Sequence, residues 1–271
     1  MMFTEKTVQV EGSRWPIPST LCLPEYDQPL ACVMMLHGTA SSRDEMGGGY
    51  QKMASTLAQR GIASIRFDLP GCGESPVDFS EYSISAAVED ARSVAGYIRS
   101  LPCIDKERIG VLGWSQGGML SILLAASDPQ IRSMALWASA LNMKDCWAEY
   151  REEALEKGVV SVRFDWRSPL NVSAKWFEEA AVTDASKLLP CLKADILAIC
   201  GSDDHLGLQP NIDIIMEKCK SRRRESWLVE GGDHIFHVFE QDNPLFSNVV
   251  RRTAKWFSVT LEQSVNLSIT L

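Results

Sequence analysis

Short, mostly apolar runs recur along the chain, separated by longer stretches of mixed polarity. The runs lie at 30–36, 62–67, 109–112, 134–137, 196–200 and 227–229. An apolar run without regular polar alternation is typical of a strand buried on both faces, as in a parallel sheet. Two earlier segments, 6–10 and 17–23, flank the turn-forming residues 11–14 and predict an opening β-hairpin.

The stretches between these runs place apolar residues three and four positions apart, which is the spacing of an amphipathic helix. The clearest case is 84–100, where Val88, Ala91 and Val94 fall on one helical face. The other predicted helices are 50–60, 116–127, 211–219 and 246–261. Repeated strand–helix–strand order predicts an α/β fold, a doubly wound and mostly parallel sheet with helices on both faces. The opening hairpin would add antiparallel edge strands.

One interval breaks this rhythm. The strand that ends near Ala140 is followed by the next only at about Asp195, whereas a plain crossover needs only about a dozen residues. The surplus, roughly 141–185, contains the aromatic residues Trp147, Tyr150, Phe164, Trp166, Trp176 and Phe177. Long insertions in compact domains are usually functional or disordered, and this aromatic content argues against disorder.

We therefore predict an α/β core domain formed by 1–140 and 186–271, with 141–185 inserted as a cap over one end of the sheet. The aromatic side chains that we expect to bind substrate are Trp147, Phe164 and Trp166. The alternative is an extended helical excursion that has no role in binding.

The bulk composition limits the classes of function. The chain has 271 residues, of which 45% are hydrophobic, and its formal net charge is −8. An acidic surface argues against nucleic acid or an anionic membrane as the main partner, because both favour basic proteins. We therefore expect a small-molecule ligand, with no nucleic-acid partner and no membrane partner.

Cysteine usage and the first residues favour a cytosolic location. The eight cysteines never form a C-x-x-C pair, and Cys32 and Cys200 lie inside apolar runs, which favours reduced thiols over disulfides or a zinc site. The first residues lack the basic segment and apolar block of a secretory signal. Neither a P-loop nor a complete G-x-G-x-x-G occurs. The sequence predicts a cytosolic protein with no metal and no cofactor.

The strongest chemical signal is the segment Gly-Trp-Ser-Gln-Gly at 113–117, which fits G-x-S-x-G. It follows the predicted strand at 108–112 and precedes the helical stretch 119–127. In that strand–turn–helix context a nucleophilic serine sits on a sharp turn, and its hydroxyl projects from the sheet. The flanking glycines leave room, because a Cβ there would collide with neighbouring backbone. Ser115 is the predicted nucleophile, and the alternative is a chance match.

A serine hydroxyl needs a base to take its proton, and the chain offers four histidines, at 37, 205, 234 and 237. In this type of site the chain order is serine, then acid, then histidine. His234 lies in a loop directly after the run 227–229, where sites gather in α/β folds. His234 is the predicted base and His237 the reserve, whereas His205 is disfavoured because it adjoins the candidate acid.

The acid is expected to follow a late strand. The run 196–200 ends in Gly-Ser-Asp-Asp, so Asp203 and Asp204 compete. Asp204 is favoured because its carboxylate must reach back toward the histidine loop, although spacing alone does not separate the two. The acid would fix the imidazole tautomer and stabilise the imidazolium. Both aspartates also suit an ordinary solvated turn.

The first long buried run ends in Leu-His-Gly-Thr, at 36–39. An oxyanion hole in this type of site combines one amide from such a loop with the amide that follows the nucleophile. We assign these amides to Thr39 and Gln116. His37 is interpreted as structural, holding the loop, and the alternative is that His-Gly merely ends a strand.

With these pieces in place, the chain resembles the α/β-hydrolase superfamily along most of its length. The matching stretches are 37–38, 68–75, 113–117, 201–204 and 232–234. The stretch 68–75 is similar to the D-x-x-G-x-G-x-S loop of that superfamily, where the resemblance implies a structural role.

Within the superfamily, the modest insertion and the Ser-Gln-Gly-Gly elbow are most similar to small bacterial esterases of the cinnamoyl or feruloyl type. Trp114 stands where those esterases commonly have histidine, and Thr39 stands where phenylalanine is familiar. The resemblance implies hydrolysis of carboxylic esters, with a cap that shapes the acyl or aromatic pocket.

The sequence therefore predicts a serine hydrolase that cleaves a carboxylic ester through an acyl-enzyme intermediate. The same triad suits a thioesterase, an amidase or peptidase, or an acyltransferase, because acyl chemistry is shared. A non-catalytic small-molecule receptor is the remote alternative, since a fold alone does not establish function.

Overall fold

The computed structural model describes residues 2–25, 27–165, 167–240 and 242–262. The strands, in chain order, are β1 (Phe3–Glu11), β2 (Pro16–Pro24), β3 (Leu30–Leu36), β4 (Ala63–Phe67), β5 (Ile104–Trp114), β6 (Ile131–Trp137), β7 (Val159–Val162), β8 (Leu170–Ser173), β9 (Asp195–Gly201) and β10 (Arg224–Val229). The helices are α1 (Gly49–Ala58), α2 (Ile84–Ser100), α3 (Gln116–Ser127), α4 (Arg151–Lys157), α5 (Ala174–Val182), α6 (Pro210–Lys218) and α7 (Pro244–Thr260).

Five of the six predicted apolar runs form the middle of one large sheet. The sixth, 227–229, was wrongly predicted to be buried on both faces, because it lies in the edge strand β10, where Leu228 is 49% exposed. Within the described residues the strand order of this sheet is β1-β2-β4-β3-β5-β6-β9-β10. The strands from β4 to β10 in that order pair in parallel, and β2 pairs antiparallel with both β1 and β4. Every residue of β3 and of β4 is buried, as expected for strands covered on both faces. The α/β fold class and the antiparallel opening hairpin are confirmed.

Two glycines of β5 show how closely the helices cover the sheet. A Cβ on Gly110 would lie 2.9 Å from the Phe257 ring of α7, and a Cβ on Gly113 would lie 2.4 Å from Ser121 Oγ of α3. Positions three apart on a strand face opposite sides of the sheet. Helices therefore pack on both faces of β5, and α3 is held tightly under the turn that leads into it.

The segment 141–185, called the insertion below, separates β6 from β9. It contains α4, the antiparallel hairpin β7–β8 and α5. Its two ends meet, because Ala185 N donates to Leu141 O at 2.8 Å. The division into a core domain and a cap remains our prediction, and Trp166 lies outside the described residues.

None of the helices in the described ranges combines the length and the apolar character needed to cross a bilayer.

Candidate active site

The nucleophile elbow lies between β5 and α3, where Ser115 precedes the first residue of the helix. Its backbone has φ 55° and ψ −120°, a conformation that is rare for a residue with a side chain and that persists only where the surroundings enforce it. A Cβ on Gly117 would lie 2.0 Å from Leu36 O, so only glycine lets α3 approach the end of β3. The glycine spacing in the sequence thus produces a sharp turn at Ser115.

Backbone hydrogen bonds hold this turn from both neighbouring sides. Ser115 N donates to Trp137 O at 2.8 Å, and Ser115 O accepts from Gly118 N and Ala140 N, each at 3.0 Å. The turn is therefore fixed by β6 and by the residues that follow it, and Ser115 lines the cavity described below.

The structure brings Asp204 and His234 together, 30 positions apart in the chain. His234 Nδ1 donates to Asp204 Oδ2 at 2.9 Å, and the Asp204 side chain is fully buried. Nε2 of His234 has no hydrogen-bond partner among the described residues, and His234 lines the same cavity as Ser115. This arrangement leaves Nε2 as the nitrogen that is free to exchange a proton with a group in the cavity.

Asp204 is held as a carboxylate by several donors. Its Oδ1 accepts from Leu206 N at 2.9 Å, and its Oδ2 lies 3.5 Å from the Cys200 thiol. Burial opposes ionisation, but the hydrogen bond and charge of His234 outweigh it, so the pKa of Asp204 lies below its usual value. Burial raises the pKa of the Cys200 thiol to about 12, so that thiol remains a hydrogen-bond donor.

The competing acid lies elsewhere. Asp203 Oδ1 accepts from Ser202 Oγ at 2.8 Å, and among the described residues its side chain makes no hydrogen bond to a histidine. Adjacent residues in a turn point their side chains in different directions. The spacing along the chain does not show which of the two points toward His234, so it could not decide between Asp203 and Asp204.

The other three histidines have separate surroundings. His37 is fully buried, with Nδ1 bonded to Gly38 O at 2.8 Å and Nε2 accepting from Leu69 N at 3.0 Å. Burial lowers the pKa of His37, so its ring is neutral and holds the loop after β3. The exposed ring of His205 lies 5.9 Å from the His234 ring, centroid to centroid.

His237, the reserve base, forms hydrogen bonds with two other residues of the loop that carries His234. Its Nδ1 lies 2.6 Å from Glu240 Oε1 and its Nε2 lies 2.9 Å from Gly231 O. Both partners accept hydrogen bonds only, so both ring nitrogens must carry a hydrogen. The Gly231 carbonyl and the Glu240 carboxylate raise the pKa of His237 above its usual value. This ring is therefore a charged clasp on the loop that carries His234.

Substitution His237→Gln is expected to lower the melting temperature more at low pH than at high pH. A raised histidine pKa stabilises the fold fully below the unfolded value of about 6.5, and that contribution disappears as pH rises through the folded value. We expect a loss of about 1–3 °C at low pH, estimated from the usual dependence of melting temperature on stability. Thermal unfolding at pH 5.5, about one unit below the unfolded value, and at pH 9 measures the difference. His205→Gln is the matched control, and an equal loss at both pH values would contradict the clasp.

The two predicted oxyanion donors lie next to the nucleophile. Thr39 N and Gln116 N have no hydrogen-bond acceptor among the described residues. A Cβ on Gly38 would lie 3.4 Å from Ser115 Cβ, so the loop that carries Thr39 approaches the elbow closely. Unpaired amides on this loop and directly after the serine are the kind of donors that can stabilise an oxyanion.

A cavity of about 720 Å³ opens above Ser115 and His234. The insertion supplies one wall of this cavity, and its lining side chains include Asn142, Met143, Cys146, Trp147 and Phe164. The Trp147 and Phe164 rings meet edge to face with centroids 5.7 Å apart. Two of the three predicted substrate-binding residues therefore line the cavity, which has the size and apolar lining of a small-molecule site.

Trp114 makes a contact with the histidine loop that the sequence alone did not predict. Its Nε1 donates to His234 O at 3.1 Å, and its ring packs against Trp137 and Phe246. The indole therefore links the elbow directly to the histidine loop. The sequence showed that Trp114 replaces the histidine common in similar esterases. It could not show the contact, because His234 lies 120 positions away along the chain.

Sequence comparison identifies relatives of this chain. The family model described as "Serine aminopeptidase, S33" (Hydrolase_4) matches residues 27–180. The 2,6-dihydropseudooxynicotine hydrolase of Paenarthrobacter nicotinovorans is 26% identical over 228 residues, which cover 82% of this chain and 57% of the relative. This chain therefore spans little more than half the length of that curated relative.

Solved structures share the fold at low sequence identity. Est1E from Butyrivibrio proteoclasticus, determined with ferulic acid bound, superposes with a TM-score of 0.72 at 17% identity, covering 91% of this chain and 97% of Est1E. A dienelactone hydrolase from Anabaena variabilis gives a TM-score of 0.69 at 18% identity, covering 96% of this chain and 99% of that one. The resemblance to the α/β-hydrolase superfamily is confirmed.

Proposed function

The chain belongs to the Hydrolase_4 family of α/β serine hydrolases, and on that premise we propose that it cleaves a carboxylic ester through an acyl-enzyme formed on Ser115. One observation carries the proposal: His234, gripped by the buried Asp204, lines the same cavity as a serine held at positive φ. A base oriented by a carboxylate beside such a serine is the arrangement that activates a hydroxyl.

In the proposed mechanism Ser115 Oγ attacks the ester carbonyl while His234 Nε2 takes the hydroxyl proton. The amides of Thr39 and Gln116 stabilise the oxyanion, and the ester oxygen leaves with the proton that His234 returns. Water then attacks the acyl-enzyme with His234 as base again, and the acid is released. Asp204 keeps the imidazole in the tautomer that carries hydrogen on Nδ1 and stabilises the imidazolium.

The lining of the cavity supports an ester with an apolar or aromatic acyl group. Trp147 and Phe164 present ring surfaces to it, and Met46, Leu206 and Ile235 add apolar area from the core. Aromatic walls bury large apolar groups and favour edge-to-face contacts with substrate rings. The binding of ferulic acid by a protein of the same fold is consistent with this class of substrate.

An amide is the second candidate, because the matching family model is described as a serine aminopeptidase. The proposed triad performs the same acyl transfer on either bond.

A cytosolic location is part of the proposal, and it is supported by the free thiol state of all eight cysteines.

A panel with one acyl group and three leaving groups tests the bond that is cleaved. We expect the methyl ester of an aromatic acid to exceed the matched N-methyl amide by roughly 100-fold or more in kcat/KM, a difference of about 2.7 kcal/mol in barrier. The matched thioester is the third arm, and Ser115→Ala supplies the background rate. Amide turnover equal to or faster than ester turnover would overturn the ester assignment.

A further inference from the structure

The loop after β3 carries a carboxylate that the proposed mechanism does not use. Glu45 Oε1 accepts a hydrogen bond from Gly38 N, and Oε2 accepts from Ser41 Oγ at 2.8 Å and from Met46 N at 3.1 Å. One side chain thus gathers donors from both ends of the loop. Glu45 also lines the cavity above Ser115, so these bonds lie beside the reacting groups.

The bonds of Glu45 bear directly on the amide of Thr39. That N–H belongs to the same planar peptide as Gly38 O, which accepts from the His37 ring at 2.8 Å and from Ser41 N at 3.3 Å. In a trans peptide the N–H and the C=O point in opposite directions, so holding Gly38 O aims the Thr39 N–H. Glu45 accepts hydrogen bonds from the amide on the other side of Gly38 and from the Ser41 hydroxyl, so it restrains the chain on both sides of that peptide.

The backbone of Glu45 marks the position as one under constraint. Its φ is 59° with ψ 175°, a region that residues with a side chain rarely occupy unless the surroundings compensate. A partly buried carboxylate such as that of Glu45 is also unfavourable unless hydrogen bonds satisfy its oxygens. Three donors satisfy them here, and the lack of a side chain on Gly38 leaves Glu45 Oε1 room to approach.

We propose that Glu45 is a positioning residue that fixes the loop 38–46 so that the Thr39 amide faces the oxyanion. This inference rests on the proposed function, in which Thr39 supplies one of the two oxyanion donors. Its effect falls on the transition state, because the oxyanion forms only there, so loss of Glu45 lowers kcat and leaves KM nearly unchanged.

The test compares Glu45→Ala and Glu45→Gln with Glu74→Gln. Glu74 binds Arg43 Nη2 of the same loop at 2.7 Å but contacts neither Gly38 nor the cavity, so it is a matched removal of charge. We expect kcat per active site to fall about 10–100-fold in Glu45→Ala, somewhat less than for loss of an oxyanion donor itself. Glu45→Gln keeps one acceptor oxygen in a side chain of the same shape, and an intermediate loss is expected.

Active sites are counted by fluorophosphonate titration, so that misfolded protein does not contribute to the result. The affinity for a trifluoromethyl ketone, which forms an oxyanion on Ser115, is expected to weaken by the same factor as kcat, whereas product affinity stays constant. A role limited to stability would lower the melting temperature and the number of sites without changing kcat per site.

Two failures remain distinguishable. If the wild-type chain neither hydrolyses esters nor reacts with the fluorophosphonate, the proposed function fails and this inference fails with it. If the wild-type chain is active and both Glu45 variants keep kcat within about twofold of Glu74→Gln, which corresponds to about 0.4 kcal/mol, only the role of Glu45 is overturned.

Discussion

Ser115→Ala is expected to lower kcat on the preferred ester by about 10³–10⁶-fold and to abolish covalent labelling by a fluorophosphonate. Without the hydroxyl no acyl-enzyme forms, and only the oxyanion donors and substrate binding continue to act on the ester. Alanine removes one oxygen from a side chain whose backbone bonds to Trp137, Gly118 and Ala140 remain. The fold and the substrate KM are therefore expected to survive.

Gel fluorescence after labelling and steady-state kinetics measure the two effects of this change. Ser42→Ala is the matched control, because Ser42 lies on the loop after β3 but does not line the cavity. Labelling that persists in Ser115→Ala would place the nucleophile at another residue. A wild-type chain that is inert to both probes would favour the non-catalytic receptor.

Asp204→Asn is expected to lower kcat by about 10⁴-fold at neutral pH, the cost seen when a triad carboxylate becomes an amide. The amide presents its own hydrogens to His234 Nδ1, so the imidazole turns to the tautomer that cannot accept the serine proton. Asp204 is buried, its pKa lies below its usual value, and Leu206 N and the Cys200 thiol also donate hydrogen bonds to it. Replacement by asparagine therefore removes the carboxylate that orients the His234 ring.

The adjacent aspartate gives a control of the same chemistry. Asp203→Asn removes a charge one position away, at a side chain bonded to Ser202 Oγ. We expect kcat to change by less than about threefold, which is below 0.7 kcal/mol. A larger loss in Asp203→Asn than in Asp204→Asn would reverse the assignment of the acid.

The fold could be predicted from the sequence because the patterns that mark its strands and helices are local. Each central strand is an apolar run bounded by polar turns, and each core helix repeats its apolar residues with helical spacing. The elbow was equally readable, since the strand, the turn glycines and the helix around Ser115 lie within a few positions of each other. Chain order then narrowed the base to His234, which the structure brings to Asp204.

The features that escaped prediction depend on partners far away in the chain. Trp114 donates to His234 O across 120 positions, and no local pattern encodes such a contact. Glu45 lies in a polar loop where its composition indicates only a solvated turn. Within the insertion, β7 and β8 have four residues each, too short for their alternation to stand out from a helix or a loop.

The origin of the cavity walls has a consequence for how such proteins diversify. Ser115, Asp204 and His234 come from loops after β5, β9 and β10, whereas Trp147 and Phe164 come from the insertion. In the proposed function, the reacting groups and the rings that contact the substrate thus lie in separate stretches of the sequence. Substitutions confined to the insertion are therefore expected to change which molecules the cavity accepts and to leave the bond-breaking step unchanged.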